Sequence, residues 1–139
     1  MNYELLGKVM TLVLNDDYYE KSTVWGTKNS ILNAVKHNKC LIWENSKKEV
    51  TGYVTYGFLT QKEIDTDLWN GDEMYARNEG EVLYFPKFQC RAGRREVIKF
   101  IRYIQKYIFK HYPHIATAGG LRVYPDGRKR NEKWHRRKL

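Results

Sequence analysis

Residues 96–111 constrain the fold more than any other part of this chain. Val97, Ile101, Ile104 and Ile108 recur at helical spacing, while Arg95, Lys99, Arg102, Lys106 and Lys110 line another face. A helix with one apolar stripe and one charged face must bury the stripe against a partner. The pattern predicts a helix over Glu96–His111, stopped by Tyr112-Pro113. The partner has to come from short apolar runs rich in Val, Thr, Tyr and Phe, which read as strands. These are Lys39–Glu44, Val50–Leu59, Glu81–Cys90 and Ala118–Tyr124. The polar turn Asn45–Lys48 makes the first two a hairpin. Gly52 and Gly57 suggest a bulge or a close backbone approach. Pro86 cannot donate to a ladder, so it marks an edge or a bulge.

Two further helices are expected at Tyr3–Leu14 and Thr27–Asn38, and a helical turn within Gln61–Asn70. Trp69–Asp72 and Pro125–Gly127 read as turns. The order α, α, β, β, β, α, β predicts an α/β (α+β) fold, with one long helix packed on a mostly antiparallel sheet. The length of 139 residues suits one domain. It is expected over 1–127, with a basic C-terminal tail over 128–139. Val9–Leu14 is too short to span a membrane, and no signal pattern precedes it. Cys40 and Cys90 lack metal-type spacing and read as buried thiols of a reducing, cytoplasmic protein.

Charge is concentrated in the last third. Residues 91–139 hold 15 Lys/Arg against 3 Asp/Glu, whereas residues 1–90 hold 10 against 13. Such clustering points to an anionic partner: a phosphate-bearing cofactor, nucleic acid or an acidic protein. A solvated basic surface is the plainer alternative.

The stretch that carries chemistry is Phe88–Ile98, FQCRAGRREVI. A strand leads into an arginine-rich turn, and a helix begins. Free N–H groups and the positive end of the dipole face outward at a helix start. Gly93 allows close approach of a ligand to the backbone. Arg91, Arg94 and Arg95 add forked donors for phosphate oxygens. Together they make a pyrophosphate cradle. The alternative is a helix start with solvated arginines.

Strand, arginine/glycine turn and long helix resemble the cofactor-binding core of the GNAT acyltransferase superfamily. The usual turn there is Gln/Arg-x-x-Gly-x-Gly/Ala, and Arg91–Arg95 lacks its second glycine. The resemblance implies an acyl-CoA or acetyl-CoA donor. Its pantetheine arm would pair with the splayed strand near Pro86–Cys90, and its pyrophosphate would sit on Arg91–Arg95. Phe88, Gln89, Cys90, Arg91, Ala92, Gly93, Arg94 and Arg95 would form the cofactor site.

A narrower resemblance, spread over residues 3–128, is to the RTX toxin-activating lysine acyltransferases. Its marks are Leu6-Gly7-x-Val9, the Lys39–Trp43 strand, Val54–Leu59, Trp69-x-Gly71-Asp72, the Tyr84–Gly93 region and Leu121-Arg122-Val123-x-Pro125-Asp126-Gly127-Arg128. That branch uses a histidine soon after its Leu-Gly and an aspartate in the strand before the glycine turn. The corresponding places here fall at Tyr18-Tyr19 and near Tyr84.

Acyl transfer to an amine needs a base for the amine proton and often an acid for the thiolate. Glu81, with Glu79 beside it, and Tyr84 stand nearest the expected site; Tyr112 and Tyr124 are further possible acids. Each has a plainer reading, a solvated strand end for the glutamates and core packing for the tyrosines. Cys90 beside Arg91 could be an activated thiol, although a buried structural one is the expectation. His37, His111, His114 and His135 show no ligand spacing. In the tail, Arg128, Lys129, Arg130, Lys133, Trp134, Arg136 and Arg137 could neutralise phosphates and stack on bases, or form a solvated terminus.

Two functions follow. One is a GNAT-like transfer of an acyl group from acyl-CoA to a protein lysine or a small amine. The other is a non-catalytic descendant, phage-encoded in style, active in the host cytoplasm or virion. It would bind nucleic acid or a virion or host protein through its basic third.

Overall fold

Val50–Leu59 (β2) is apolar on both sides of its pleat, and both sides are covered. In the computed structural model, which describes residues 1–14, 24–115, 117–123 and 129–135, this strand lies inside a five-stranded sheet. The other strands are β1 (Cys40–Glu44), β3 (Val82–Cys90), β4 (Thr117–Val123) and β5 (Lys129–His135), in spatial order β1-β2-β3-β4-β5. Neighbours pair antiparallel except β3 and β4, which run parallel. A parallel pair needs a crossover. The long helix α5 (Arg94–His111) lies between the two strands in the chain and supplies it.

Side chains of β2 point alternately to two cores. On one face Val54, Tyr56 and Phe58 meet Leu83 and Phe85 of β3 and Phe100, Ile104 and Ile108 of α5. On the other, Tyr53 and Leu59 join Tyr84 beneath α1 (Tyr3–Leu14), α2 (Val24–Lys36) and α4 (Gly71–Ala76). The sheet is therefore sandwiched, where the sequence suggested one long helix on one layer. The single-domain mixed α/β architecture with a mostly antiparallel sheet is as expected. No helix among the described residues is long and apolar enough to cross a membrane.

Several boundaries differ for local reasons. Trp69–Asp72, read as a turn, is the start of α4: Asn70 accepts the N–H groups of Asp72 and Glu73 at 2.8 and 3.3 Å, satisfying helix donors. Asn33 of α2 also donates to Asp72, joining the two helices. The segment 128–139, read as a tail, contributes β5. Seven Cα pairs, from Thr117↔His135 to Val123↔Lys129, set it beside β4. Main-chain pairing needs no apolar alternation, so a polar sequence hides an edge strand.

Short helix α3 (Gln61–Thr66) is fixed by a capping box. Thr60 Oγ1 accepts the Glu63 N–H at 3.1 Å, and Glu63 Oε1 accepts the Thr60 N–H at 2.9 Å. Arg77 donates to both Glu63 oxygens at 2.6 and 3.2 Å and to the Phe58 carbonyl at 3.1 Å. The Arg77 guanidinium, and then the Thr60 N–H, pull the Glu63 carboxyl down to about 2. A carboxylate with a depressed native pKa stabilises the fold at higher pH and loses that contribution as pH falls. Stability is therefore expected to drop as pH falls from 4.5 through about 2. Glu63→Gln should flatten that limb and lower stability near neutrality by about 1 kcal/mol, read by denaturant melts across pH.

Gly57 shows why α4 lies where it does. A Cβ there would stand 2.5 Å from Met74 Cγ and 2.8 Å from the Met74 carbonyl oxygen. Gly57→Ala is expected to push α4 off β2 and destabilise by about 1–3 kcal/mol, measured in urea.

Candidate functional site

The ladder between β3 and β4 is short. It has four pairs, from Val82↔Thr117 to Phe85↔Gly120, although β3 runs on to Cys90 and β4 to Val123. Its end coincides with a bulge. Between the pairs Thr55↔Lys87 and Gly57↔Tyr84, β3 advances three residues while β2 advances two. The extra residue falls at Phe85-Pro86, and a bulge bends its strand. Pro86 has no N–H for β4. From Pro86 onward β3 pairs with β2 alone, and the opposite edge of its main chain is open to an added hydrogen-bonding partner among the described residues.

The strand then enters the arginine turn. Arg91 N–H donates to the Thr51 carbonyl at 2.8 Å, tying the turn to the start of β2. Gly93 follows with φ 84° and ψ 167°, backbone that L side chains rarely adopt. It caps α5 with no side-chain hydrogen bond, so the first-turn N–H groups stay free of a cap. Arg91, Arg94 and Arg95 are exposed around this terminus. Arg94, Arg95, Ile98, Lys99 and Arg102 line an open depression on the outer side of α5. The one carboxylate in the first turn, Glu96, accepts Trp43 Nε1–H at 2.8 Å and Lys99 Nζ at 3.4 Å. The Trp43 hydrogen bond leads in holding its carboxyl below the usual range. Glu96 is thereby engaged by Trp43 and Lys99.

The two faces of β3 past the bulge differ. Phe88, 42% exposed, stacks on Phe100 at 5.6 Å, and Trp43 and Tyr103 extend the aromatic ledge. On the opposite face, Lys87 pairs in register with Thr55 and Gln89 with Tyr53. Thr55 Oγ1 accepts from Tyr75 Oη at 3.0 Å, and Tyr75 Oη lies 2.9 Å from Ser30 Oγ. Lys87 is half-buried, and burial pushes its ammonium pKa down. Sequence reasoning missed Lys87; the available signal was a lysine directly after proline inside an apolar strand.

The expected cofactor residues Phe88 to Arg95 form one continuous strand end and turn. The expected catalytic pair is not brought together. Glu81 is exposed immediately before β3, the full strand away from the turn. Tyr84 is buried before the bulge, edge-on to Trp69 at 5.6 Å; burial first, then the Asp67 charge, raises its pKa. Tyr112 packs against Phe58 at 5.2 Å, in the α5 core. At Cys90 burial leads in raising the thiol pKa, in keeping with the structural thiol expected there. His111 lies tilted against Tyr107 at 4.1 Å, and no metal-binding group exists among the described residues. Lys129, Arg130, Lys133 and Trp134 lie on β5. Tyr18-Tyr19, Tyr124, Arg128, Arg136 and Arg137 lie outside the described residues.

A comparison with curated proteins returned no match. The sequence does match the RTX toxin acyltransferase family over residues 1–131. That span includes every helix, β1 to β4, the bulge and the arginine turn. With nearly the whole chain covered, this protein belongs to the RTX toxin acyltransferase family.

Proposed function

We propose that the protein is a GNAT-like N-acyltransferase that moves an acyl group from acyl-CoA to a protein lysine. A small-molecule amine is the alternative acceptor. The observation that carries this reading is the end of the β3–β4 ladder at Phe85↔Gly120, just ahead of an uncapped helix start at Gly93. A pantetheine arm carries amides of its own. It can add along the side of Pro86–Cys90 that the β4 ladder does not reach, as an extra strand would. Its pyrophosphate then reaches Arg91, Arg94, Arg95 and the first-turn N–H groups of α5, where charge and dipole both favour an anion. Phe88 offers an apolar surface beside this path.

The acceptor amine attacks the thioester carbonyl, the C–N bond forms, the C–S bond breaks, the nitrogen loses a proton to water, and the departing thiolate takes up a proton. Tyr84 keeps its proton because of burial and stands just before the bulge, which suits it as the donor of that proton. Glu81, solvated at the far strand end, has no part in this step. Residues 1–127 are the acyltransferase domain in this reading, and the segment 128–139 adds β5 beside β4.

A second reading is favoured by the exposed row Arg95, Lys99, Arg102, Lys106 and Lys110 on α5. It is a surface for nucleic acid or an acidic host or virion protein.

Calorimetric titration with acetyl-CoA and a longer acyl-CoA tests the first reading. Saturable binding is expected, weakened about 10- to 100-fold in Arg94→Ala/Arg95→Ala. No binding of either thioester would sink it. In that case binding to single-stranded DNA that falls steeply with salt would support the second.

A further inference from the structure

Lys87 stands at the divergence of the two strands, and the step above makes no use of it. It is the second residue past the last β3–β4 pair, directly after Pro86 on the open part of β3. It is half-buried, yet it makes no ion pair or hydrogen bond among the described residues. Its in-register neighbour is Thr55, which belongs to the neutral hydroxyl chain with Tyr75 and Ser30. This face of β2 and β3 also carries Thr51, Tyr53, Leu59, Val82, Tyr84 and Gln89, none of them a carboxylate. Asp67 acts on Tyr84 but makes no ion pair with Lys87. A lysine so placed has little to hold its proton, and burial favours the neutral amine. A neutral amine is the nucleophile that a thioester acylates.

We propose that Lys87 is itself an acylation site, taking the acyl group from a thioester bound along the open edge of β3. This rests on the donor reading above. The Lys87 Nζ lone pair attacks the thioester carbonyl. The C–N bond forms, the C–S bond breaks, and the free thiol departs with a proton lost by the amine. No other reactant is needed. The product is an amide, so Lys87 keeps the group instead of passing it on, and its nitrogen can no longer be protonated.

The other lysines differ in ways that make the assignment specific. Lys39 is more deeply buried, at 4% exposure, and burial lowers its pKa too. Its Nζ, however, donates to the His37 carbonyl at 3.4 Å, and it precedes β1, two strands away from the open edge. Lys99, Lys106 and Lys110 are exposed on the outer side of α5.

The test is incubation of the full chain with acetyl-CoA, followed by intact mass and peptide mapping, with calorimetry on the same samples. One acetyl increment is expected at Lys87, formed about tenfold or more faster than at Lys99 or Lys106, because a bound thioester is held beside it. Lys87→Met and Lys87→Arg should keep donor binding and lose that increment; thermal melts establish that each is folded. Arg94→Ala/Arg95→Ala should lose binding and the Lys87 increment together, leaving slow surface acetylation unchanged. Donor binding with Lys87 unmodified, or acetyl spread evenly over exposed lysines, overturns the proposal while leaving the donor reading intact. Absence of donor binding in the unaltered chain overturns the donor reading and this proposal with it.

Discussion

Pro86 cannot donate a backbone hydrogen bond, and yet it sits within β3, between β2 and β4 in the sheet. The structure resolves this conflict locally. A bulge at Phe85-Pro86 absorbs one residue against β2, and the ladder to β4 stops at Phe85↔Gly120. Because β3 and β4 are parallel, the connection between them has to be long, and α5 fills it. The end of the ladder and the start of that helix are then separated only by the rest of β3 and the Arg91–Gly93 turn. An open main-chain edge and a positive helix terminus are thus consequences of one arrangement.

Burial on both faces holds this arrangement in place. Phe100, Ile104 and Ile108 fix α5 against β2 and β3, so the exposed arginines of its first turn have a rigid support. The helices on the opposite face depend on small and paired groups. Gly57 admits the Met74 main chain, and Arg77 joins the Phe58 carbonyl to the capping box of α3. The polar chain Ser30–Tyr75–Thr55 lies among apolar neighbours on this side, its hydroxyls hydrogen-bonded to one another. Lys87 differs: burial lowers its pKa, and it makes no ion pair with a carboxylate among the described residues.

Legibility in the sequence followed the strength of local patterns. The stripe Val97, Ile101, Ile104 and Ile108 located α5, although the helix begins two residues earlier, at Arg94. Pro86 was read as an edge or a bulge from its chemistry alone, and the structure shows the bulge. Asn70 was read as part of a turn because a cap and a turn use the same residue type. The strand Lys129–His135 was hidden, because its partner, β4, supplies the order its composition lacks. Among candidate site residues, the run Phe88–Arg95 is contiguous in sequence and stays together across the strand end, the turn and the helix start. Glu81 was picked for its nearness along the chain, and the extended strand β3 separates it from the turn.

The sequence by itself determined the long amphipathic helix, the four apolar strands, the proline irregularity and the arginine-rich helix start. Each depends on interactions within a few residues of the chain. Tertiary structure alone decided that β3 and β4 are parallel, that their pairing ends at Phe85, and that both sheet faces are covered. It also decided which lysine is sunk beside the open edge. Those outcomes depend on contacts between segments far apart in sequence, such as Thr55 opposite Lys87 and Trp43 bonded to Glu96, which no local pattern encodes.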